Sequence, residues 1–181
     1  FAIMGDIYMK NIYNVKEPKI GLLSVGEEKS KGDALTIGAY ELLEKSNLNF
    51  IGNVEGRDVL RGKADVIVCD GFVGNVILKF AESVLDVIKG KFKAYAAQGF
   101  FKKMWTGMMY GTLKNVVLKD FDYQEYGGVP LLGINGVTII GHGKSSPIAI
   151  KNMILKAEEM VRLKVNDKIR ESIKNYELGI K

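Results

Sequence analysis

The feature that most constrains the fold is a repeated unit: a short apolar run, a glycine-containing loop and then a helical pattern. The first run is KIGLLSVG, residues 19–26, and a helical pattern follows over residues 32–46. The apolar residues of that pattern lie on one helical face: Leu35, Ala39, Leu42 and Leu43. LNFIGN and DVIVC are the next two apolar runs. Strands alternating with helices predict an α/β fold with a mostly parallel sheet sandwiched by helices.

Longer helical patterns and one further strand follow in the second part of the chain. From Asn75 to Ala96 apolar residues recur every three or four positions, which predicts a long amphipathic helix. After a break at Gly99, a second helix is predicted over residues 100–117. NGVTIIGHG is predicted as a fourth strand, and residues 145–173 as a last helix, capped by Ser145 or Ser146 with Pro147 in its first turn. We therefore expect a single α/β domain or fragment over residues 1–181, with a protruding helical hairpin at 75–118.

Charge and cysteine content narrow the class of partner and the compartment. The formal net charge of +5 favours an acidic partner: a phosphate ester, an acidic carrier protein, anionic lipid or nucleic acid. An ordinary solubility charge would look the same. The one cysteine, Cys69, forms no internal disulfide, which fits a reducing compartment. No stretch approaches the ~18 apolar residues of a spanning helix. No metal-ligand spacing occurs, and neither a metal nor a cofactor is predicted.

Three loops share the same chemistry. SVGEEKSKGD, CDGFVGN and GHGKSSP each follow a predicted strand and lead toward a helix. Glycine lets the backbone approach a ligand closely, and a helix N-terminus offers free N–H groups to an anion. Three lysines add positive charge: Lys29, Lys31 and Lys144. The pattern indicates a phosphate-like ligand, while turn glycines and solvated lysines are the structural alternative. No loop fits a nucleotide-binding fingerprint.

Several single residues in and near these loops admit two interpretations. His142, the only histidine, lies between two glycines and is either functional or a hydrogen-bonded structural residue. Asp70 either caps a turn or orients a cation. In NVEGRD, Glu55, Arg57 and Asp58 supply charge to another glycine loop, and a local pair between Arg57 and Asp58 is the structural alternative.

The longer motifs resemble a known family. IGLLSVGEEKSKGDALT, NFIGNVEGRD, ADVIVCDGFVGNVILK, FDYQEYGG and GHGKSSPIAIKNMI, in this order, resemble the PlsX family of phosphate acyltransferases. The resemblance implies a fold like that of phosphotransacetylases and isocitrate dehydrogenases. It also implies formation of acyl phosphate from acyl-(acyl carrier protein) and inorganic phosphate, as a step of phospholipid synthesis. Family chains carry a further amino-terminal region of similar length, so this chain is expected to be the carboxyl-terminal half of an enzyme.

The resemblance also assigns site residues. Lys31 lies in the family's Lys-Gly motif, and Asp70 and Asn75 lie in its Asp-Gly-Phe-x-Gly-Asn motif. We expect Lys31 to bind the phosphate or the oxyanion, Asn75 to donate to the phosphate, and Asp70 to hold Lys31 or a bound proton. The residues expected to line the phosphate site are Gly26, Gly32, Gly71, Gly74, His142 and Gly143.

The expected partners are the acyl carrier protein, inorganic phosphate, a second copy of the chain and an anionic membrane, with no nucleic acid. Dimerisation is predicted through the helices between Asn75 and Val117. The segment GFFKKMWTGMMYGTLKNVV combines large apolar residues with lysines and no acid, which suits a lipid interface or, alternatively, core packing. The predicted membrane contacts are Phe100, Phe101, Met104, Trp105, Met108 and Met109, for a cytoplasmic protein partly bound to the inner face of the membrane. Two alternatives are a phosphate acetyl- or butyryltransferase that uses coenzyme A, and a non-catalytic docking fragment.

Overall fold

The computed structural model describes residues 1–116 and 127–177. The chain divides into two compact units. The first is built from Phe1–Cys69 and Gly127–Lys181, and the second from Asp70–Tyr126.

A three-stranded parallel sheet organises the first unit. Its strands are β1 (Ile20–Leu23), β2 (Phe50–Val54) and β3 (Val66–Val68), and β1 lies in the middle. The three predicted strands are thus confirmed, together with their parallel arrangement. Because parallel strands end at the same edge of a sheet, the loops after β1 and β2 meet there.

Within its described residues, the first unit has four α-helices: α1 (Ala2–Ile12), α2 (Ala34–Glu44), α5 (Pro147–Arg162) and α6 (Val165–Glu177). The buried residues Met160, Val165 and Ile169 form the centre of a core between α1, α5 and α6. Ile20 of β1 and Val54 of β2 are also fully buried and belong to the part of the core that lies at the sheet.

The chain after residue 127 departs from the predicted pattern in two places. The predicted fourth strand is β5 (Ile139–Ile140), and it pairs antiparallel with β4 (Val129–Pro130) in a separate two-stranded sheet. The predicted last helix is two helices, because Lys164 adopts a left-handed conformation, φ 52°, between α5 and α6. That reversal places Val165 of α6 in the same core cluster as Met160 of α5. Ser146 caps α5, as one of the two predicted alternatives, with its Oγ accepting the Ala149 N–H at 3.2 Å.

Up to residue 116, the described part of the second unit contains two helices, α3 (Gly71–Ala96) and α4 (Phe100–Val116), which pack on each other. Both were predicted, with the break at Gly99, whose φ is +151°. The contact includes an edge-to-face pair of Phe92 and Tyr110 at 6.2 Å between ring centroids. Within the described ranges, no helix is both long enough and apolar enough to cross a membrane.

Candidate phosphate site at the edge of the sheet

The loop from Ser24 to Asp33 connects β1 to α2, and hydrogen bonds fix the backbone on both sides of Lys31. The Lys31 N–H donates to the carbonyl of Glu28 at 2.9 Å. The Lys31 carbonyl accepts the hydroxyl of Ser24 at 3.1 Å, and the Ser24 N–H in turn donates to Val54 on β2 at 2.9 Å. The exposed side chain of Lys31 therefore projects from a peptide whose position is set by both strands.

The two lysines of this loop differ in what they contact. Lys29 Nζ lies 2.5 Å from Glu44 Oε2 and 5.4 Å from the centroid of the Tyr40 ring. The hydrogen bond with Glu44 raises the pKa of Lys29 above its ordinary value. In the part of the chain that the structure describes, Lys31 forms no ion pair. Of the two charges, that of Lys31 is the one left to attract an anion.

Two glycines are required by the shape of this loop. Gly32 has φ +111°, and a Cβ there would lie 2.8 Å from both Cβ and Cγ2 of Thr36. A Cβ on Gly26 would lie 2.9 Å from Cγ of Lys31, so the absence of a side chain leaves room for the lysine stem. Gly26 and Gly32 are therefore needed for the conformation of the loop around Lys31, as the structural alternative of turn glycines predicted.

Ion pairs connect the loop after β2 with the loop after β1. Lys63 Nζ lies 2.6 Å from Glu27 Oε1 in the first loop and 3.6 Å from Asp58 Oδ2 in the second. The N–H of Glu55 donates to Asp58 at 3.2 Å and holds the pKa of that carboxyl below its ordinary value, with Lys63 adding to the effect. Arg57 pairs with Glu55 at 3.0 Å rather than with Asp58, which corrects the predicted local pair.

The Asp70–Asn75 stretch is a helix start rather than a loop. α3 begins at Gly71, and the Asp70 carboxylate accepts the N–H groups of Phe72 and Val73 at 2.8 Å and 2.9 Å. Asp70 is thus an N-cap, one of the two interpretations of the sequence, and Gly74 and Asn75 lie within the first turns of the helix. A Cβ on Gly71 would meet open space, so packing within the structure does not require glycine there. The pairing of Asp70 with Lys31 would join residues of different units and stays a prediction.

His142 and Gly143 lie in an exposed turn between β5 and α5. The Lys144 N–H donates to His142 Nδ1 at 3.1 Å, and Ser145 donates to the His142 carbonyl at 2.6 Å through its hydroxyl. The imidazole thus orders the turn that leads to the Ser146 cap. β5 lies outside the three-stranded sheet, so this turn does not follow a strand of that sheet. The sequence had predicted that all three glycine loops follow strands of one sheet, and for this loop that expectation is wrong.

Sequence patterns gave no role to two residues that hold the Lys31 loop, Ser24 and Asn53. Both lie at strand ends, and only their long-range hydrogen bonds distinguish them, so no local signal identifies them. Within residues 1–116 and 127–177, no group of three or more His, Cys, Asp or Glu residues is arranged to hold a metal ion. What this edge offers chemically is a cation on a rigid loop, suited to an anion.

Comparison with known proteins agrees with this chemistry. Residues 1–168 match the family model described as fatty acid synthesis protein. A protein of Thermodesulfovibrio yellowstonii named phosphate acyltransferase is 48% identical over 98% of the chain and 51% of its own length. Proteins of the same name from Dictyoglomus turgidum and Pelotomaculum thermopropionicum are 48% and 45% identical, over 96% and 98% of the chain and 52% of each relative.

The chain thus spans about half the length of the curated relatives it matches. The match nevertheless extends over almost the whole chain and includes every motif discussed above. On this evidence the chain belongs to the PlsX family of fatty acid synthesis proteins, whose curated members are named phosphate acyltransferases.

Proposed function

We propose that the full-length protein transfers an acyl group from acyl-(acyl carrier protein) to inorganic phosphate, giving acyl phosphate for phospholipid synthesis. The observation that carries the proposal is Lys31: an exposed ammonium group without an ion pair among the described residues, on a loop fixed by both neighbouring strands. An exposed cation suits a phosphate, and the relatives that the chain matches are named phosphate acyltransferase.

The reaction needs little from the protein beyond placement and charge. A phosphate oxygen forms a bond to the thioester carbonyl carbon, and the π electrons move onto the carbonyl oxygen. When the carbonyl reforms, the carbon–sulfur bond breaks, and the thiolate takes up the proton that hydrogen phosphate carried. Lys31 binds the phosphate or the developing oxyanion, and its fixed backbone limits the reorganisation needed during the reaction. Asn75, near the start of α3 in the second unit, stays a predicted donor to the phosphate.

Replacement of Lys31 tests the proposal. We expect Lys31→Ala in the full-length protein to lower acyl phosphate formation at least about tenfold, equivalent to ~1.4 kcal/mol of transition-state stabilisation. Lys29→Ala is a matched control, since it removes the same charge two residues away, from a lysine already paired with Glu44. A folded Lys31→Ala protein with wild-type turnover would contradict the assignment.

The acyl donor distinguishes the carrier-protein reaction from the reaction with coenzyme A. We expect the full-length protein to have the higher kcat/KM with acyl-(acyl carrier protein), measured with the same acyl chain on both carriers. A preference for acyl-coenzyme A would assign the protein to the phosphate acetyl- or butyryltransferases instead.

Membrane contact through the start of α4 is the second part of the proposal. Its support is the exposure of large apolar side chains within the second unit: Phe100, Phe101, Met104, Trp105 and Met108 are more than half exposed, and Met109 about half. Among residues 100–111 of α4, whose side chains the structure describes, Thr106 is the buried one, so this part of the predicted apolar stripe is not the face that α4 presents to α3. No acidic residue occurs between Gln98 and Val116, which suits an anionic lipid surface.

Vesicle flotation tests this contact. We expect the full-length protein to float with anionic vesicles, less so at high salt, and Trp105→Glu/Met109→Glu to float less. Leu78→Glu/Ser83→Glu, on exposed residues in the first half of α3, is the control with the same charge change outside the α4 segment. Equal flotation of both variants would exclude this segment as the anchor.

Dimerisation through α3 and α4 is proposed for a related reason. After α4 has packed on α3, Phe80, Val84 and Ile88 of the α3 stripe remain exposed. Two such hairpins would form a four-helix bundle that buries these side chains. Light scattering should give the mass of a dimer at micromolar concentration, and Phe80→Glu should shift it to that of a monomer. A wild-type monomer at this concentration would contradict the proposal.

A further inference from the structure

We infer that Asn53 is a positioning residue for Lys31: through the carbonyl of Glu28 it sets the place from which the lysine reaches its anion. The inference deepens the proposed function and rests on it. The Asn53 side chain donates to the Glu28 carbonyl and not to the Lys31 side chain, so its effect on the reaction passes through the loop.

An irregularity in the sheet places Asn53 where it can act. Ile20 pairs with Phe50 and Leu22 pairs with Asn53, so β2 contains one more residue than β1 over this interval. Gly52, with φ +90°, lies within it. One extra residue reverses the face toward which every following side chain of a strand points. The bulge therefore determines the side of the sheet on which the Asn53 side chain lies.

The side chain of Asn53 holds the loop at its turn. Asn53 is only 4% exposed, and its Nδ2 donates to the Glu28 carbonyl at 2.9 Å. The same carbonyl accepts the N–H of Lys31, also at 2.9 Å. A single oxygen atom thus connects β2 to the peptide of Lys31, while Ser24 holds the other side of that peptide from the end of β1.

Stability alone does not account for a carboxamide at this position. The Oδ1 of Asn53 is buried and accepts no hydrogen bond from any residue that the structure describes. A buried acceptor without a donor opposes folding, and an apolar side chain of similar size would avoid that penalty. The donor half of the amide, in contrast, makes the bond that fixes the loop. The residue type fits a requirement for loop position better than a requirement for core packing.

A double-mutant cycle tests the inference in the full-length protein. Asn53→Leu keeps approximately the volume of the side chain and removes its donor. We expect it to lower kcat/KM for phosphate about tenfold when Lys31 is present. In a Lys31→Ala background we expect the same change to lower kcat/KM less than about twofold, because residues that act through one group are not additive.

Asn49→Leu is the matched control. Asn49 precedes β2, and its Nδ2 donates to the carbonyl of Glu17 at 3.1 Å, away from the Lys31 loop. This variant should leave kcat/KM for phosphate within about twofold of wild type. If Asn53→Leu does not fold, Asn53→Ser, whose hydroxyl is too short to reach the Glu28 carbonyl, takes its place in the same cycle.

The outcomes separate this inference from the proposed function. Equal losses with and without Lys31 would overturn the inference, because a general structural defect acts in both backgrounds. Wild-type kcat/KM in a folded Asn53→Leu protein would overturn it as well. Wild-type activity of Lys31→Ala itself would overturn the assignment of Lys31 and, with it, the role of Asn53. Loss in Lys31→Ala with additive effects of Asn53→Leu would leave the proposed function standing and reject the inference alone.

Discussion

Replacement of Gly32 by alanine tests how rigidly the Lys31 loop is built. The added methyl group meets two obstacles. Gly32 has φ +111°, a conformation that L residues rarely adopt, and its Cβ would lie 2.8 Å from Cβ and Cγ2 of Thr36. Thr36 cannot easily move away, because its N–H is bound to the Asp33 cap at the start of α2.

The two obstacles give the expected magnitude. Left-handed backbone at a residue with a side chain costs about 1–2 kcal/mol. Overpacking of a side chain against fixed neighbours costs about 1–3 kcal/mol. We therefore expect Gly32→Ala to lower the free energy of unfolding by about 2–5 kcal/mol, measured by urea denaturation followed by circular dichroism.

Gly62→Ala separates the two contributions. Gly62 also has positive φ, +68°, but a Cβ there would meet nothing within 4 Å. It should therefore cost only the backbone part, about 1–2 kcal/mol. If the two substitutions lower the free energy of unfolding by the same amount, to within ~0.5 kcal/mol, the close contact between Gly32 and Thr36 does not constrain the loop.

Three further predictions concern local interactions. The Thr36 N–H lowers the pKa of Asp33, so the stability that this cap contributes is present above the unfolded-state pKa of about 4 and is lost as the pH falls through the folded-state value. Acid titration of the free energy of unfolding should show a smaller loss in Asp33→Asn, which keeps a capping oxygen; an identical loss would contradict this. Gly128→Ala would place a Cβ 2.6 Å from the carbonyl oxygen of Ile140 and should destabilise the protein by about 1–3 kcal/mol in urea denaturation, whereas Gly136→Ala, with open space around it, should cost less. Burial raises the pKa of Tyr8 to about 12, so spectrophotometric titration of Tyr8→Phe should lack one late-titrating tyrosine; loss of one that titrates near 10 would refute this.

Local chemistry in the sequence was sufficient for most of the elements and for two helix caps, whereas α1 and β4 were not predicted and α5 and α6 were predicted as one helix. Apolar runs of four or five residues between polar loops predicted β1, β2 and β3, and three- and four-residue spacing predicted α3 and α4. Capping involves only residues two or three positions apart, so Asp70 and Ser146 were recognised as possible caps. The resemblance of several motifs in order then identified the family.

Packing between distant segments decided what spacing alone did not. Leu35 and Leu42 of α2 share an apolar face, yet they are 67% and 64% exposed, while Tyr40 packs on Phe50 of β2 at 5.1 Å between ring centroids. A helix pattern defines candidate faces, but only the neighbouring strand selects the face that is covered. The sheet partner of β5 was likewise invisible, because strand pairing is a contact between segments and not a property of either one.

The sequence by itself determined which residue types stand at the edge of the sheet, and the tertiary structure decided which of them remain available to a ligand. Lys29 and Lys31 are the same residue type and lie two positions apart in the chain. Glu44, fifteen residues from Lys29, forms an ion pair with Lys29 and none with Lys31. Asn53, more than twenty residues from Lys31, bonds to the Lys31 loop from a β-bulge that no local sequence pattern predicts. Electrostatic pairing and hydrogen bonding depend on distance in space, so the folded chain alone assigns these roles.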